Sequence, residues 1–306
     1  MNFIRLVLSK TYVVGLLLTS NIYAKDHNLG QSSIIHTQTL ELASTQGKHV
    51  YSLHIHLPKD YNYSKSDYPI VILSDADFSF PLISGVSTLM GARDTLPFIA
   101  VAISYSKGDS AQLSRTRDYT PTYAPNERGA HSLEAQKYSG QASAYMDYIE
   151  KDVLPYLLKH YRIDLTNKIY AGHSFGGLLG LSILFERPEL FDQYIIGSPS
   201  LWYDNAAIFN LEKNYAKNNK DLAANVLMYI GANENKNRHK NMVDDVYKLH
   251  STLLARAYPS LELQSFELQG ASHFSAFPFL LVDALPRVLK KARKASIETL
   301  AVKEIH

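Results

Sequence analysis

The sequence predicts an α/β protein built on one mostly parallel central sheet, with antiparallel N-terminal edge strands and helices on both faces. Continuous apolar runs of strand length, such as Tyr68 to Asp75 and Pro97 to Tyr105, are typical of strands covered on both faces. Helical patterns alternate with the later runs. Repeated strand–helix units of this kind produce a parallel sheet with right-handed crossovers.

The first elements show the alternation expected at the edge of such a sheet. Polar and apolar residues alternate between roughly residues 33 and 57, which predicts two half-buried antiparallel strands. The stretch from Ser139 to Tyr161 has helical spacing, and Pro155 within it predicts a kink or an early end.

The second half of the chain continues the strand–helix order. "KIYAG" predicts a strand and "FGGLLGLSILFER" the helix after it, while "FDQYIIGSPS" and "NVLMYIGA" predict two more strands. A helical or loop insert at about 201–224 separates those two strands. A helix from about Asn241 to Ala257, a strand "LELQSFEL" and a last helix from about Pro278 to Lys294 complete the predicted order.

The composition excludes several classes of function. The chain has 306 residues, 46% of them hydrophobic and 20% charged, which is an ordinary globular balance. A net charge of +2, without a basic stripe, gives no support for nucleic-acid binding. The chain has no cysteine, which excludes disulfides, thiolate catalysis and cysteine-ligated metal. We expect no cofactor and a small-molecule substrate.

The first 24 residues predict a signal peptide. Arg5 and Lys10 precede a short apolar run that ends at the small residue Ala24, before the polar stretch "KDHN". We therefore expect cleavage near Ala24, a periplasmic or secreted protein and no stable membrane association afterwards. An uncleaved N-terminal anchor is the alternative. Residues 25–306 are predicted to form a single domain.

The strongest chemical signal is a G-x-S-x-G motif, Gly172-His173-Ser174-Phe175-Gly176, between a predicted strand and a predicted helix. On α/β folds this context places the serine on a sharp turn, where its hydroxyl is exposed at the rim of the sheet. At the start of the helix, free N–H groups favour developing negative charge. Ser174 is therefore the candidate nucleophile.

A serine hydroxyl needs a base and an acid that orients the base. His273, which follows the last strand and is predicted to lie in a loop, is the candidate base. Glu234, just after the strand "NVLMYIG", is the candidate acid, and Asp244 and Asp245 are rivals that fall inside a helical pattern. The order serine, acid, histidine is the one expected on this kind of fold.

The negative oxygen of the reaction intermediate needs two backbone N–H donors. Phe175 supplies one, because the residue after the nucleophile does so on such folds. The loop after the third strand, "SDADFSF", is expected to supply the other from Asp77, with Ala76 as the alternative.

With these residues placed, the sequence resembles the "putative esterase" (esterase D-like) family of α/β-hydrolases, and within it the bacterial branch that includes periplasmic siderophore esterases. The resemblance covers about residues 45–292, and its most specific block is "YAGHSFGGLLGLSILFERPELFDQYIIGSPSLWYDN". It implies a serine hydrolase that acts on ester or thioester bonds through Ser174 and His273. The family's "LDGD" loop reads Ser74-Asp75-Ala76-Asp77 here, and some siderophore-esterase relatives work with a Ser–His pair and a weak third member, so Glu234 need not be essential.

Several residues are candidates for substrate binding. Arg115 and Arg117 follow the fourth strand, and Arg238 follows Glu234; together they predict a cationic mouth for an anionic ester. Solvated loop charges, or pairing of Arg117 with Asp118 or Asp77, are the alternative. Trp202 is a candidate pocket wall, or else a packing residue under the insert.

Other functions stay open at this point. His54 and His56 share one face of a strand, as two metal ligands would, but no third ligand has a suitable spacing, so we predict no metal. Carbohydrate acetyl or feruloyl esters, thioesters and acyl transfer all fit the same fold. A periplasmic binding module without turnover is the alternative of another class. The oligomeric state is not predicted.

Overall fold

Nine strands pair edge to edge into one sheet in the computed structural model, which describes residues 36–46, 49–129, 131–236, 241–290 and 302–304. The predicted signal peptide lies outside these residues. The strands are β1 (Thr37–Ala43), β2 (Val50–His56), β3 (Tyr68–Leu73), β4 (Ile99–Ser106), β5 (Ile163–His173), β6 (Gln193–Gly197), β7 (Ala224–Gly231), β8 (Leu261–Leu268) and β9 (Val302–Glu304).

The sheet has the order β1-β2-β4-β3-β5-β6-β7-β8-β9. All pairs between β4 and β8 are parallel, whereas β1 pairs antiparallel with β2, and β2 with β4, at the N-terminal edge. At the other edge β9 pairs antiparallel with β8. The predicted mostly parallel sheet with antiparallel N-terminal strands is confirmed. Only β9 lies in a stretch for which the sequence pattern gave no strand.

Helices connect these strands, because a parallel pair needs a long crossover between its strands. They are α1 (Ala76–Met90), α2 (Ala111–Tyr119), α3 (Leu133–Gln136), α4 (Ala142–Tyr148), α5 (Leu154–His160), α6 (Phe175–Glu186), α7 (Tyr203–Ala206), α8 (Ile208–Asn218), α9 (Met242–Arg256) and α10 (His273–Val288). A π-helical turn, Ile149–Val153, joins α4 to α5, and short 3₁₀ turns cover Pro188–Leu190 and Ala232–Lys236.

The two faces of the sheet carry separate hydrophobic cores. Helices α1 and α10 cover one face, where Phe80, Ile83 and Leu280 pack on the inward side chains of the central strands. Helices α4 to α6, α8 and α9 cover the other face. Residues of β3 alternate between the two cores, since Ile70 and Ile72 point to one face and Val71 and Leu73 to the other. This two-sided burial explains the continuous apolar runs in the sequence.

Pro155 does not end the helical stretch in which it lies. It lies in the first turn of α5, directly after the π-helical turn, where the N–H of Leu154 reaches the carbonyl of Ile149. A proline within a helical path cannot donate a backbone hydrogen bond, and its ring crowds the carbonyl four residues before it. The wider turn accommodates the proline and lets the helical path continue to His160.

The predicted start of the last helix is wrong by about one and a half turns. Helix α10 begins at His273 rather than near Pro278, because Ser272 caps it: the Ser272 hydroxyl accepts from the Ser275 N–H, and the Ser275 hydroxyl accepts from the Ser272 N–H at 2.9 Å. A capping box of this kind fixes the first residue of a helix. His273 therefore lies on a helix and not in a loop.

Helices α1, α2 and α3 lie in stretches where the sequence pattern predicts no helix. The α1 sequence, "ADFSFPLISGVSTLM", contains Pro81, a glycine and four serine or threonine residues, all weak or poor helix formers. Packing of its apolar face on the sheet outweighs these local preferences. Among the described helices, none has the length and apolarity required to cross a bilayer.

Candidate active site

Ser174 lies between β5 and α6 in a backbone conformation that side-chain-bearing residues rarely adopt, with φ 59° and ψ −114°. Its N–H donates to the carbonyl of Gly197 at 2.9 Å, and its carbonyl accepts from the N–H of Leu178 at 2.9 Å. These bonds tie the strained residue to β6 and to the first turn of α6. The surrounding structure therefore holds Ser174 in its strained conformation, as is common at functional sites.

The turn around Ser174 has no room for a side chain at Gly172. A Cβ at this position would lie closer than 3.0 Å to the backbone of Gly176, which has no freedom to move away. The glycine before the serine thus allows β5 and α6 to approach each other closely.

Glu234 and His273 come from adjacent strand ends and meet in a hydrogen bond. Glu234 follows β7 in a 3₁₀ turn, and His273 opens α10 after β8. The distance between Glu234 Oε2 and His273 Nδ1 is 2.7 Å. Because Nδ1 faces the carboxylate, it carries the proton, and Nε2 is left as the basic nitrogen of the neutral ring.

The second oxygen of Glu234 is also bound. Oε1 accepts from the Ser198 hydroxyl at 2.6 Å and from the Gly231 N–H at 2.9 Å. Glu234 is 7% exposed, so these donors replace the water that a solvated carboxylate would have. The sequence pattern predicted Glu234 but not Ser198, although Ser198 lies near the end of the block that carries the family resemblance, in "GSPSLW".

The hydroxyl of Ser174 lies 3.3 Å from the hydroxyl of Ser200. Ser200 is buried, and its N–H also donates to the carbonyl of Ser174 at 3.2 Å. Within the described residues, the Ser174 hydroxyl is bonded to Ser200 rather than to His273. Catalytic hydrogen bonds are often long or incomplete before substrate binds, so this contact does not exclude His273 as the base.

Ser174, Glu234 and His273 line one cavity of about 420 Å³. A volume of this size lies in the range of small-molecule sites, ~300–1,000 Å³. The other lining residues are Arg115, Gly129, His131, Phe175, Ser200, Trp202, Asn233, Met242 and Phe274. The structure thus brings together the three predicted residues from distant parts of the chain, together with Phe175, Arg115 and Trp202.

Arg115 is the cationic side chain that lines this cavity among the described residues. Its Nε lies 2.7 Å from Asp75 Oδ1, and its guanidinium lies 5.7 Å from the centre of the Phe175 ring. Burial opposes the charge of Arg115, but the neighbouring Asp75 carboxylate outweighs this effect and raises the pKa of the guanidinium. Arg115 is therefore a fixed, permanently charged part of the cavity wall.

Two further histidines adjoin the site, and neither was a candidate from the sequence. His131 lines the cavity, its Nδ1 lies 2.6 Å from the Thr116 hydroxyl, and burial together with Arg115 lowers its pKa to about 4. His173 lies with its ring centre 4.6 Å from that of His273, and burial holds its pKa well below the ordinary value. Both rings are neutral at pH 7.

The predicted cationic mouth is wrong for Arg117. This side chain is 4% exposed and makes ion pairs with Asp109 at 2.5 Å and with Asp118 at 2.7 Å. It lines a different cavity, beside Tyr51 and Tyr145. Arg115 and Arg117 are two residues apart on α2, and side chains at that spacing point away from each other on a helix. Arg238 lies outside the described residues.

The two expected oxyanion donors differ in position. Phe175 is the first residue of α6 and lines the cavity, so its N–H has no acceptor within its own helix. Asp77 and Ala76 are the first residues of α1, which follows Asp75 at φ 59°, but neither lines the cavity. The side chain of Asp77 is exposed.

The described residues contain no cluster of three or more histidine and acidic side chains that could hold a metal ion. His54 and His56 on β2 are each within hydrogen-bond distance of a threonine: His54 Nδ1 lies 3.1 Å from the Thr39 hydroxyl, and His56 Nε2 lies 3.3 Å from that of Thr88.

The sequence matches a family model and several known proteins. A family model described as "Putative esterase" matches residues 44–288. Ferri-bacillibactin esterase BesA of Bacillus subtilis (strain 168) is 27% identical over 225 residues, which cover 71% of this chain and 78% of that protein.

Solved structures share the fold. An IroE-like serine hydrolase from Shewanella oneidensis aligns with a TM-score of 0.73 and 24% identity over 83% of this chain and 80% of that chain. The BES protein from Bacillus cereus aligns with a TM-score of 0.71 and 23% identity over 93% of this chain and 99% of that one.

The sheet, the turn at Ser174 and these likenesses define an α/β-hydrolase fold. The chain belongs to the "Putative esterase" family and is related to siderophore esterases. Its family activity is the hydrolysis of ester bonds.

Proposed function

We propose that the protein is a serine esterase that works through an acyl-enzyme. The observation that carries this proposal is the hydrogen bond between Glu234 and His273 at 2.7 Å in the cavity that also exposes Ser174. A hydroxyl, an imidazole and a carboxylate in that order are the groups that activate a serine toward a carbonyl carbon.

The proposed reaction has two halves. Ser174 Oγ attacks the ester carbonyl while its proton passes to His273 Nε2, and Glu234 stabilises the imidazolium. The N–H of Phe175 binds the negative oxygen of the tetrahedral intermediate. The bond to the alcohol breaks, and His273 returns the proton to the leaving oxygen. Water then attacks the acyl-enzyme in the same way and releases the acid and Ser174.

We further propose that the substrate is the ester backbone of a siderophore. The similar esterase BesA is named for ferri-bacillibactin, and the Arg115 guanidinium lines the cavity, where it can donate hydrogen bonds to an anionic substrate while it is ion-paired with Asp75. Trp202 and Phe274 line the cavity, and Phe274 is 87% exposed, so an aromatic ring of the substrate has side chains to stack on.

The nucleophile is tested with a fluorophosphonate probe. We expect the wild-type protein to be labelled and Ser174→Ala to be unlabelled and inactive. Ser182→Ala is the matched control, because Ser182 is a buried serine of the same helix whose hydroxyl donates to the Leu178 carbonyl at 2.9 Å. Labelling that survives Ser174→Ala would assign the reaction to another residue.

The substrate is tested by comparing kcat/KM for a ferric triscatecholate trilactone with values for neutral p-nitrophenyl esters, acetylated or feruloylated sugars and a thioester. We expect the trilactone to be the preferred substrate and Arg115→Lys to raise KM for it more than for the neutral esters. Tight binding of the trilactone without hydrolysis over hours would contradict the enzyme proposal. Products formed with added alcohols would instead indicate acyl transfer.

We also propose that the protein is exported, because its first 24 residues have the charge and hydropathy pattern of a signal peptide. Cell fractionation and N-terminal sequencing test this. We expect periplasmic or secreted protein that begins at Lys25, and a full-length cytoplasmic product would contradict it.

A further inference from the structure

Ser198 lies between the nucleophile and the acid of the site. It directly follows Gly197, the last residue of β6. The carbonyl of Gly197 accepts a hydrogen bond from the N–H of Ser174 at 2.9 Å. Two residues after Ser198, Ser200 contacts the Ser174 hydroxyl at 3.3 Å. One short segment, Gly197 to Ser200, therefore touches the strained turn at both of its ends.

The side chain of Ser198 points the other way, toward the acid. Its hydroxyl donates to Glu234 Oε1 at 2.6 Å, while Glu234 Oε2 faces His273 Nδ1 at 2.7 Å. Ser198 is fully buried, and its N–H donates to the carbonyl of Tyr229 on β7 at 2.7 Å. The backbone bond to β7 and complete burial fix the position of this hydroxyl.

The backbone of Ser198 is strained, with φ 40°. A serine in this region is uncommon, and glycine would adopt it more easily. Strained backbone conformations tend to occur where the side chain has a function. At Ser198 the strained residue places a buried hydroxyl on the Glu234 carboxylate.

We propose that Ser198 is a positioning residue for catalysis: it fixes the Glu234 carboxylate so that Oε2 points at His273. The Gly231 N–H holds the same oxygen, Oε1, at 2.9 Å. Two donors from the ends of two neighbouring strands leave the carboxylate one orientation. With Ser198 removed, Oε1 keeps a single donor, and the carboxylate can rotate away from the imidazole. This inference rests on the proposed Ser174–His273–Glu234 mechanism.

The first test uses Ser198→Ala and Ser198→Gly, which both lack the hydroxyl but differ in the backbone. We expect both to lower kcat by about ten- to a hundredfold, a loss of the size seen when outer partners of metal-bound histidines are removed. KM should stay close to the wild-type value, because Ser198 does not line the cavity. The melting temperature should be higher for Ser198→Gly than for Ser198→Ala, since glycine relieves the strained φ.

If Ser198 had only a structural role, kcat would follow stability across the variants. The more stable Ser198→Gly would then have a higher kcat than Ser198→Ala, close to the wild-type value, and that result would overturn the inference. Wild-type kcat in either variant would overturn it as well. Ser182→Ala is the control, because it removes a buried hydroxyl outside the site, and it should keep wild-type kcat.

The second test combines each variant with Glu234→Ala. If Ser198 acts only through Glu234, Ser198→Ala should lower kcat no further in the Glu234→Ala background. Full additivity would contradict the inference. Failure of the underlying mechanism looks different, because the fluorophosphonate label would then survive Ser174→Ala, or Glu234→Ala would itself leave kcat unchanged.

Discussion

Glu234 receives hydrogen bonds on both of its carboxylate oxygens while being almost excluded from water. A buried carboxylate with satisfied oxygens has a defined orientation, and orientation is what a serine-activating histidine requires from its partner. The rivals Asp244 and Asp245 lie on α9 instead. The acid directly after a strand end is therefore the one that contacts His273, whereas the two acids in the helical pattern lie on α9.

We predict that Glu234→Ala lowers kcat by about two to four orders of magnitude, because the imidazolium loses its partner and the ring its orientation. Asp244→Ala is the control and should retain wild-type kcat. Steady-state hydrolysis of p-nitrophenyl esters measures both. A loss below tenfold for Glu234→Ala would mean that the Ser174–His273 pair works without a third member.

Arg117 is a charged residue that the sequence predicts at the surface but the structure buries. Its buried guanidinium pairs with the buried Asp118 and with the partly exposed Asp109. We predict that Arg117→Met costs about 3–5 kcal/mol of unfolding free energy, because it leaves the buried Asp118 carboxylate without its charged partner. Lys107→Met, which removes an exposed ion pair with Glu41, should cost no more than about 1 kcal/mol.

Urea denaturation of the two variants gives these free energies. Weaker binding of an anionic ester by Arg117→Met, with unchanged stability, would restore Arg117 as a substrate-binding residue.

At the scale of elements, the turn from β5 to α6 depends on the absence of a side chain at Gly172. We predict that Gly172→Ala abolishes activity and destabilises the protein, since its Cβ would collide with the backbone of Gly176. Gly85→Ala is the matched control: this residue lies inside α1 with open space around it, and we expect a gain of about 0.4–1 kcal/mol.

Thermal denaturation and ester hydrolysis compare the two glycine variants. A stable and active Gly172→Ala protein would show that the turn has more room than its backbone distances indicate.

At the scale of the whole molecule, neutral imidazoles in the interior couple stability to pH. Burial lowers the pKa of His56 to about 4, whereas in the unfolded chain the pKa is near 6.5. Between these values the unfolded chain binds the additional proton, so the contribution of His56 to stability is lost as the pH falls.

We predict that His56→Gln shows a smaller loss of stability between pH 7 and pH 5 than the wild-type protein. Glutamine keeps a hydrogen-bonding group for Thr88 but does not titrate in this range. Urea midpoints at the two pH values measure the difference. Equal pH dependence in the two proteins would mean that His56 is not the group that titrates.

The sequence by itself predicted the order of strands β1 to β8 along the chain and three side chains that line one cavity in the structure. Apolar runs predicted the parallel strands because burial on both faces leaves no polar alternation, and the glycines around Ser174 predicted its sharp turn because only they fit there. Strand ends located Glu234 and His273, since parallel strands end at the same edge of a sheet.

Tertiary structure alone decided the remaining features. Packing on the sheet made α1 helical against its local preferences, and a capping box set the start of α10. Which way a polar side chain faces depends on the elements packed around it, so Arg115 entered the cavity while Arg117 was buried elsewhere. Ser198 and His131 came to the site through contacts between residues far apart in the chain, and local sequence patterns do not record such contacts.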